Sequence, residues 1–189
     1  MYPVQLEGAA VLLREFRSTD APAALAWTGD PEAVRFVPLG PLDANGAVDY
    51  VEQLVAESRR EPREGYTLAI VERATGEVVG SVALGIDSRV HRRAELGYIV
   101  RRDRWGRGYA TEAASLVIDF AFERLAMHRV WAVCDPDNPA SLRVLEKCGM
   151  RCEGRLRDDL LVHGTWRDSL LYAVIADDRR GGDDPGQYV

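Results

Sequence analysis

The chain has 189 residues, 47% hydrophobic and 29% charged, with 24 basic against 30 acidic side chains and a formal charge of −6. That length fits one domain with an ordinary core, and the acidic balance argues against a general nucleic-acid binder, which carries a basic field. No run approaches the ~18 apolar residues of a membrane span, and the N-terminal "MYPVQLEG" has neither a basic n-region nor an apolar h-region, so a cytoplasmic protein is expected.

The elements follow in chain order. "AAVLLREF" reads as a first strand, and "TDAPAALAWT" as a helix capped by Ser18 or Thr19 with Pro22 in its first turn. "DPEAVRFVPLGPL" is a proline-broken connector. The next helix, "DANGAVDYVEQLVAESRRE", sets Val48, Val51, Leu54 and Val55 on one face. "GYTLAIVER" and "VVGSVALGID" alternate as strands, and "ATGE" between them supplies a glycine turn, so an antiparallel hairpin is expected. "RRAELGYIV" is a further strand. After it comes the basic loop "RRDRWGRGYATEA" and a helix striped by Ala113, Val117, Phe120 and Ala121. "HRVWAVC" is a strand again. "DNPASLRVLEKCGM" carries the punctuation of a short helix, with Asn138 as N-cap, Pro139 first and Gly149 at the stop. "RCEGRLRDDLLVHGTWRDSLLYAVIA" gives two closing strands around "HGTW". Residues 1–177 thus read as one α/β (α+β) domain with parallel and antiparallel pairs mixed. Residues 178–189 read as a tail too polar and glycine-rich to pack.

Cys134, Cys148 and Cys152 are odd in number and unpaired in pattern, which suits a reducing compartment. The spacing of Cys148 and Cys152 with His163 fits no common zinc pattern, so no metal is expected.

The loop at 101–113 holds four arginines and two glycines between a strand and a helix. The first amides of a helix converge on one spot with the positive end of the dipole behind them, and Gly106 and Gly108 let backbone approach an anion closely. Three ligand classes use this device. A nucleoside-triphosphate loop needs Gly-x-x-x-x-Gly-Lys-Ser/Thr, which is absent. A dinucleotide loop needs G-x-G-x-x-G/A, and here Thr111 stands at the sixth position, mid-chain. The third is the pyrophosphate of coenzyme A.

"WGRGYATEA" after "AELGYIV", with "DPDNPASLRVLEKCGM" about thirty residues later, resembles the GNAT N-acetyltransferases. Within that superfamily the chain is most similar to the RimJ/RimL-like branch of ribosomal-protein N-terminal acetyltransferases. The resemblance runs from "LREFRSTDAPAALAW" to "RDSLLYAVI". It implies a mixed, mostly antiparallel seven-stranded sheet, splayed between central strands and flanked by about four helices. It also implies acetyl-CoA as cosubstrate, an amine acceptor and direct attack in a ternary complex. One departure is Trp105, which stands where the superfamily loop usually begins with Gln or Arg.

By the same resemblance, amides from Trp105 through Gly106, Arg107, Gly108 and Tyr109 to Ala110, with Thr111 beside them, cradle the pyrophosphate. Ile99 and Val100 pair with the pantetheine arm, Asn138 touches it, and Ser141 lies near the thioester sulfur. Of the loop arginines, one or two such as Arg104 are expected on phosphate. Glu95 is the candidate general base, directly or through a water, and the alternative for it is an ion pair with Arg92 or Arg93. Ser141 is the candidate acid, with Tyr172 or another hydroxyl as its substitute. Trp27, Phe36 and Trp166 are expected to wall the acceptor groove. The acceptor is read as a protein N-terminus, with a small amine as alternative. A non-catalytic acyl-CoA binder and a homodimer are left open.

Overall fold

The structure, a computed structural model, describes residues 1–180. Its eight strands are β1 (Gln5–Glu7), β2 (Val11–Glu15), β3 (Gly65–Glu72), β4 (Val78–Ser88), β5 (Arg93–Val100), β6 (Arg129–Cys134), β7 (Arg151–Val162) and β8 (Thr165–Ile175). They form one sheet in the order β1-β2-β3-β4-β5-β6-β8-β7. Pairing is antiparallel except between β5 and β6. The helices are α1 (Ala21–Thr28), α2 (Ala44–Ser58), α3 (Tyr109–Glu123), α4 (Pro139–Lys147) and α5 (Ala176–Arg180). The eighth strand beyond the expected seven is β1, whose three residues are too short for a periodic signal.

Strand alternation sends β3 side chains to two cores. Leu68 and Ile70 join Val82, Leu84, Ala113, Val117, Ile118 and Phe120 under α3. Ala69 and Val71 face the other way and pack with Phe16, Ala24, Trp27 and Val51 beneath α1 and α2. The whole α3 stripe expected from the sequence is buried. On α2 the stripe is rotated: Ala47, Val51 and Leu54 are buried, while Val48 is 47% exposed. Asp43 fixes the start of α2 by accepting from the Gly46 amide at 2.8 Å.

Local details revise three further expectations. Ser18 and Thr19 do not cap α1; Ser18–Asp20 form a 3₁₀ turn and α1 begins after Asp20. The reason is the Asp20 carboxylate, which accepts from the Arg17 amide at 2.8 Å and from Arg14 at 2.7 and 2.9 Å. Residues 178–180, expected in the tail, complete α5, and the rest of that tail, 181–189, lies outside the described residues. Trp27, expected on the acceptor groove, is 0% exposed in the core beneath α1 and α2. Its ring fills the space between those helices and the sheet, so packing and not ligand contact explains it.

Trp27→Ala should therefore lower unfolding stability by about 3–5 kcal/mol in urea titration. A change within about 0.5 kcal/mol, as for a surface side chain, would contradict the core assignment.

Candidate active site

The parallel ladder between β5 and β6 lasts for three pairs, Arg93↔Arg129, Ala94↔Val130 and Glu95↔Trp131. Beyond Glu95 the strands part, although β5 stays paired to β4 as far as Val100↔Gly80. A cavity of about 660 Å³ opens in the splay, lined on one side by Leu96 to Val100 and on the other by Ala132 to Asp135. Its far end is closed by Phe36 and its neighbours from the α1–α2 connector and by Leu160, Val162 and Arg167 to Ser169 from β7 and β8.

Gly80 makes this geometry available. A Cβ there would stand 2.9 Å from Val100 Cα and closer still to the Ile99 carbonyl oxygen. Only glycine lets the end of β5 fold over β4, and glycine inside a strand is a sequence signal of close backbone approach.

The loop beyond β5 carries the anion-binding features. Gly106 and Gly108 have φ of +76° and +83°, and a Cβ at either would meet nothing, so backbone conformation and not space selects glycine. No side chain caps α3, so the amides of Tyr109, Ala110 and Thr111, which have no intrahelical acceptor, stay available. All three residues line the cavity with Arg104, Trp105, Gly106 and Gly108. Trp105 Nε1–H donates to the Val100 carbonyl at 2.7 Å, which pins the loop to the strand and removes that carbonyl from pairing with a ligand.

Every loop arginine has a carboxylate partner. Arg101 meets Asp103 at 2.7 Å, Arg102 meets Asp30 at 3.1 Å, and Arg104 meets Asp103 and Glu77 at 2.6 and 2.8 Å. Arg107 lies 3.6 Å from Glu72 with its side chain 52% exposed, and it does not line the cavity. The positive character at this spot thus comes mainly from amides and the helix dipole.

Asn138 caps α4: its side-chain oxygen accepts from the Ser141 amide at 3.1 Å. Both residues line the cavity. Ser141 Oγ lies 2.7 Å from the Tyr98 hydroxyl, which also reaches the Ser141 carbonyl at 3.1 Å. Burial, first of all, pushes the Tyr98 pKa far above its ordinary value, so its proton is fixed at neutral pH. Tyr98 was not singled out in the sequence; Tyr172, the expected substitute acid, bonds Glu146 at 3.4 Å and lies outside the cavity.

Glu95 stands at the vertex of the splay on the last ladder pair. It forms no ion pair among the described residues; Arg93 is taken by Asp87 at 2.7 Å. The residue is exposed, yet partial burial of its carboxyl, then the charges of Asp87 and Asp159, raise its pKa above the carboxylate norm. It does not line the cavity wall itself. Trp166 is 60% exposed beside the β7–β8 turn and away from the cavity. Of the three expected groove aromatics only Phe36 is on the wall.

The sequence reading also missed the polar floor of the far end. Arg167 donates to Asp135 at 2.7 and 2.9 Å and to Asp137 at 2.8 Å. Burial alone would raise the Asp135 pKa, but the Arg167 bonds outweigh it and leave it lowered. The connector above is fastened by His163 Nε2 against the Val34 carbonyl at 3.2 Å and by Asp30 on Arg102.

The acetyltransferase (GNAT) domain family matches residues 10–151. The chain belongs to the GNAT acetyltransferase family. This acetyltransferase is 33% identical to YoaA, an uncharacterized N-acetyltransferase of Bacillus subtilis, over 93% of its own length and 98% of the relative's. It is 32% identical to the spermidine N(1)-acetyltransferase of Escherichia coli K12 over 53% of its own length and 54% of that protein's. Among solved structures it resembles Mycobacterium smegmatis RimJ in complex with CoA-disulfide, with TM-score 0.80 and 31% identity over 93% of this chain and 87% of that one. The GNAT domain is thus an acetyl-CoA-dependent acetyltransferase. Its loop fits a pyrophosphate, with glycines at positive φ beside uncapped helix amides. The splay offers an elongated space to the arm behind it. Among the described residues no helix is long and apolar enough to cross a membrane.

Gly80→Val should weaken acetyl-CoA binding in calorimetry by at least about tenfold, or 1.4 kcal/mol, because the branched side chain displaces Ile99 and Val100. Gly65→Ala, with open space around it, should bind as wild type. Equal binding by both variants would contradict the role assigned to the β5 approach.

Proposed function

We propose that this enzyme acetylates the N-terminal α-amine of a protein by direct attack in a ternary complex. Bound acetyl-CoA would supply the activated acetyl thioester. The amides of Gly106 to Ala110, with Thr111, would hold the pyrophosphate, the Trp105 amide being taken by the Arg102 carbonyl. The Val100 amide would hold the pantetheine, the Ile99 backbone being turned to β4, and the free amide donors of Asn138 would hold its middle. An amide near Val100 would polarise the thioester carbonyl, as an oxyanion donor does.

Glu95 is the observation that carries the reading. It has no ion-pair partner among the described residues, stands at the vertex of the splay and has a raised pKa; from off the cavity wall it would take a proton from the amine through a water. An α-amine has a pKa near ~8 and a lysine amine near ~10.4, so the α-amine is neutral a few hundred-fold more often at neutral pH. One carboxylate relayed by water matches the easier acceptor. Ser141 would protonate the departing sulfur, with its Oγ held 2.7 Å from the Tyr98 hydroxyl. Phe36 and the Asp135–Arg167–Asp137 floor would receive the acceptor. The likeness to RimJ supports the protein acceptor.

A small polyamine is the second reading, supported by the partial likeness to a spermidine acetyltransferase and by the Asp137 carboxylate on the cavity wall. The odd cysteine count supports a cytoplasmic setting.

At fixed acetyl-CoA, kcat/KM should be at least about tenfold higher for peptides with a free N-terminus than for spermidine or Nα-blocked lysine peptides, the α-amine being the more often neutral. The reverse order would transfer the assignment to polyamines. Since the base must be deprotonated, kcat/KM should fall as pH drops through the raised Glu95 pKa. Glu95→Gln should lose about 10²–10⁴-fold at neutral pH and with it that acid limb. An unchanged rate and profile in Glu95→Gln would remove Glu95 from the mechanism.

A further inference from the structure

Glu72 ends β3, which β4 separates from the splayed β5, and nothing in the sequence marks it. Yet it is 4% exposed, and a buried carboxylate persists only where several donors compensate its lost hydration. Its donors are informative. One oxygen accepts a short hydrogen bond from the Tyr109 hydroxyl, and the other accepts from Thr75 Oγ1 at 2.8 Å. Arg104 Nε stands 3.4 Å from the second oxygen and Arg107 3.6 Å from the first. The Tyr109 bond, then the Thr75 bond, hold the carboxyl below the usual range, so the anion is present throughout the neutral range.

Three of these four partners belong to the loop. Arg104 ends its 3₁₀ turn, Arg107 lies between the two positive-φ glycines, and Tyr109 is the first residue of α3. One oxygen pair on the rigid sheet therefore spans the whole segment whose amides face the anion. A carboxylate this close to an anion site opposes anion binding by simple charge, and its retention there calls for a compensating geometric role. Without an anchor, two glycine hinges flanking Arg107 would leave the amides free to rotate away from a common focus, and the ordering would be charged to ligand binding.

We propose that Glu72 is a positioning residue that pre-forms the pyrophosphate loop by holding Tyr109, Arg104 and Arg107 against the sheet. The inference rests on the reading that this loop takes the coenzyme's pyrophosphate. It assigns Glu72 no contact with the ligand, and it makes the Tyr109 hydroxyl the main strut, since Tyr109 starts α3 and hydrogen-bonds the carboxylate while Arg104 and Arg107 stand 3.4 and 3.6 Å away.

The test compares two ligands that differ in the part the loop would hold. Acetyl-CoA carries the pyrophosphate and nucleotide; S-acetylpantetheine has the same thioester arm and neither. Wild-type enzyme should bind acetyl-CoA at least tenfold more tightly in calorimetric titration. Glu72→Gln should lose most of that preference, while its affinity for S-acetylpantetheine stays within twofold of wild type. Tyr109→Phe, which keeps the backbone and the carboxylate, should lose the preference in the same direction even if Glu72→Gln folds poorly. Retention of the full preference by Tyr109→Phe, or equal loss for both ligands in either variant, would overturn the positioning role. If wild type itself showed no preference, the pyrophosphate reading of the loop would fall first, and the role of Glu72 with it.

Discussion

Three residue pairs hold β5 to β6 before the ladder stops, and the rest of the molecule is arranged around that stop. A sheet interior that loses a partner exposes backbone donors and acceptors, a costly condition unless something else supplies the missing bonds. Here the gap is wide enough to be a cavity, and Leu96 to Val100 form its wall. On one side the strand can bend because Gly80 has no side chain. Across the gap, the Tyr98–Ser141 contact ties the opened strand to α4. Below it, α3 starts where the loop from β5 delivers its uncapped amides. An edge left open in the middle of a sheet is thus both the structural irregularity of this fold and the place where a cosubstrate arm can complete the ladder.

Charge is distributed with the same economy. The four loop arginines look in sequence like a cationic trap, but each is paired with a carboxylate. What remains to attract an anion is the directional field of amides, which operates over short distances and favours shape over bulk charge. Buried carboxylates act elsewhere as fasteners. Asp135 orders Arg167 on the cavity wall, and Glu15 of β2 meets Arg63 at 2.7 Å with both side chains largely buried. Such pairs add little net stability compared with apolar packing, but breaking one leaves an uncompensated charge. The first of these pairs fixes geometry on the cavity wall, where Asp135 and Arg167 both stand, and the second ties the N-terminal segment to the start of β3.

The parts of this fold visible in sequence were those governed by local rules. The α3 stripe, the Asn138 cap with Pro139 after it, the positive φ of Gly76 and Gly149, and the hairpin of β3 and β4 all follow from periodicity and turn chemistry. Trp27 failed because a tryptophan beside a proline-rich connector has the same local pattern whether it faces a groove or a core. Val48 failed because the buried face of α2 runs through Ala47, Val51 and Leu54 and leaves Val48 beyond its edge, a rotation that periodicity alone does not fix. Tyr98, Glu72 and Arg167 were invisible for a different reason. Each acquires meaning from a partner 43, 37 and 32 positions away, a relation no window of sequence displays. Gly80 did carry a signal, a glycine inside an apolar strand, and a stricter reading of that rule identifies it.

The central claim is that the splay and the loop beside it form one continuous acetyl-CoA site. A crystal structure of the enzyme with coenzyme A tests this most directly. The account predicts pyrophosphate oxygens within hydrogen-bond distance of amides between Gly106 and Thr111, with the pantetheine running along Leu96 to Val100 and its sulfur beside Ser141. Coenzyme A bound with its pyrophosphate away from those amides, or with its arm outside the β5–β6 opening, would contradict it.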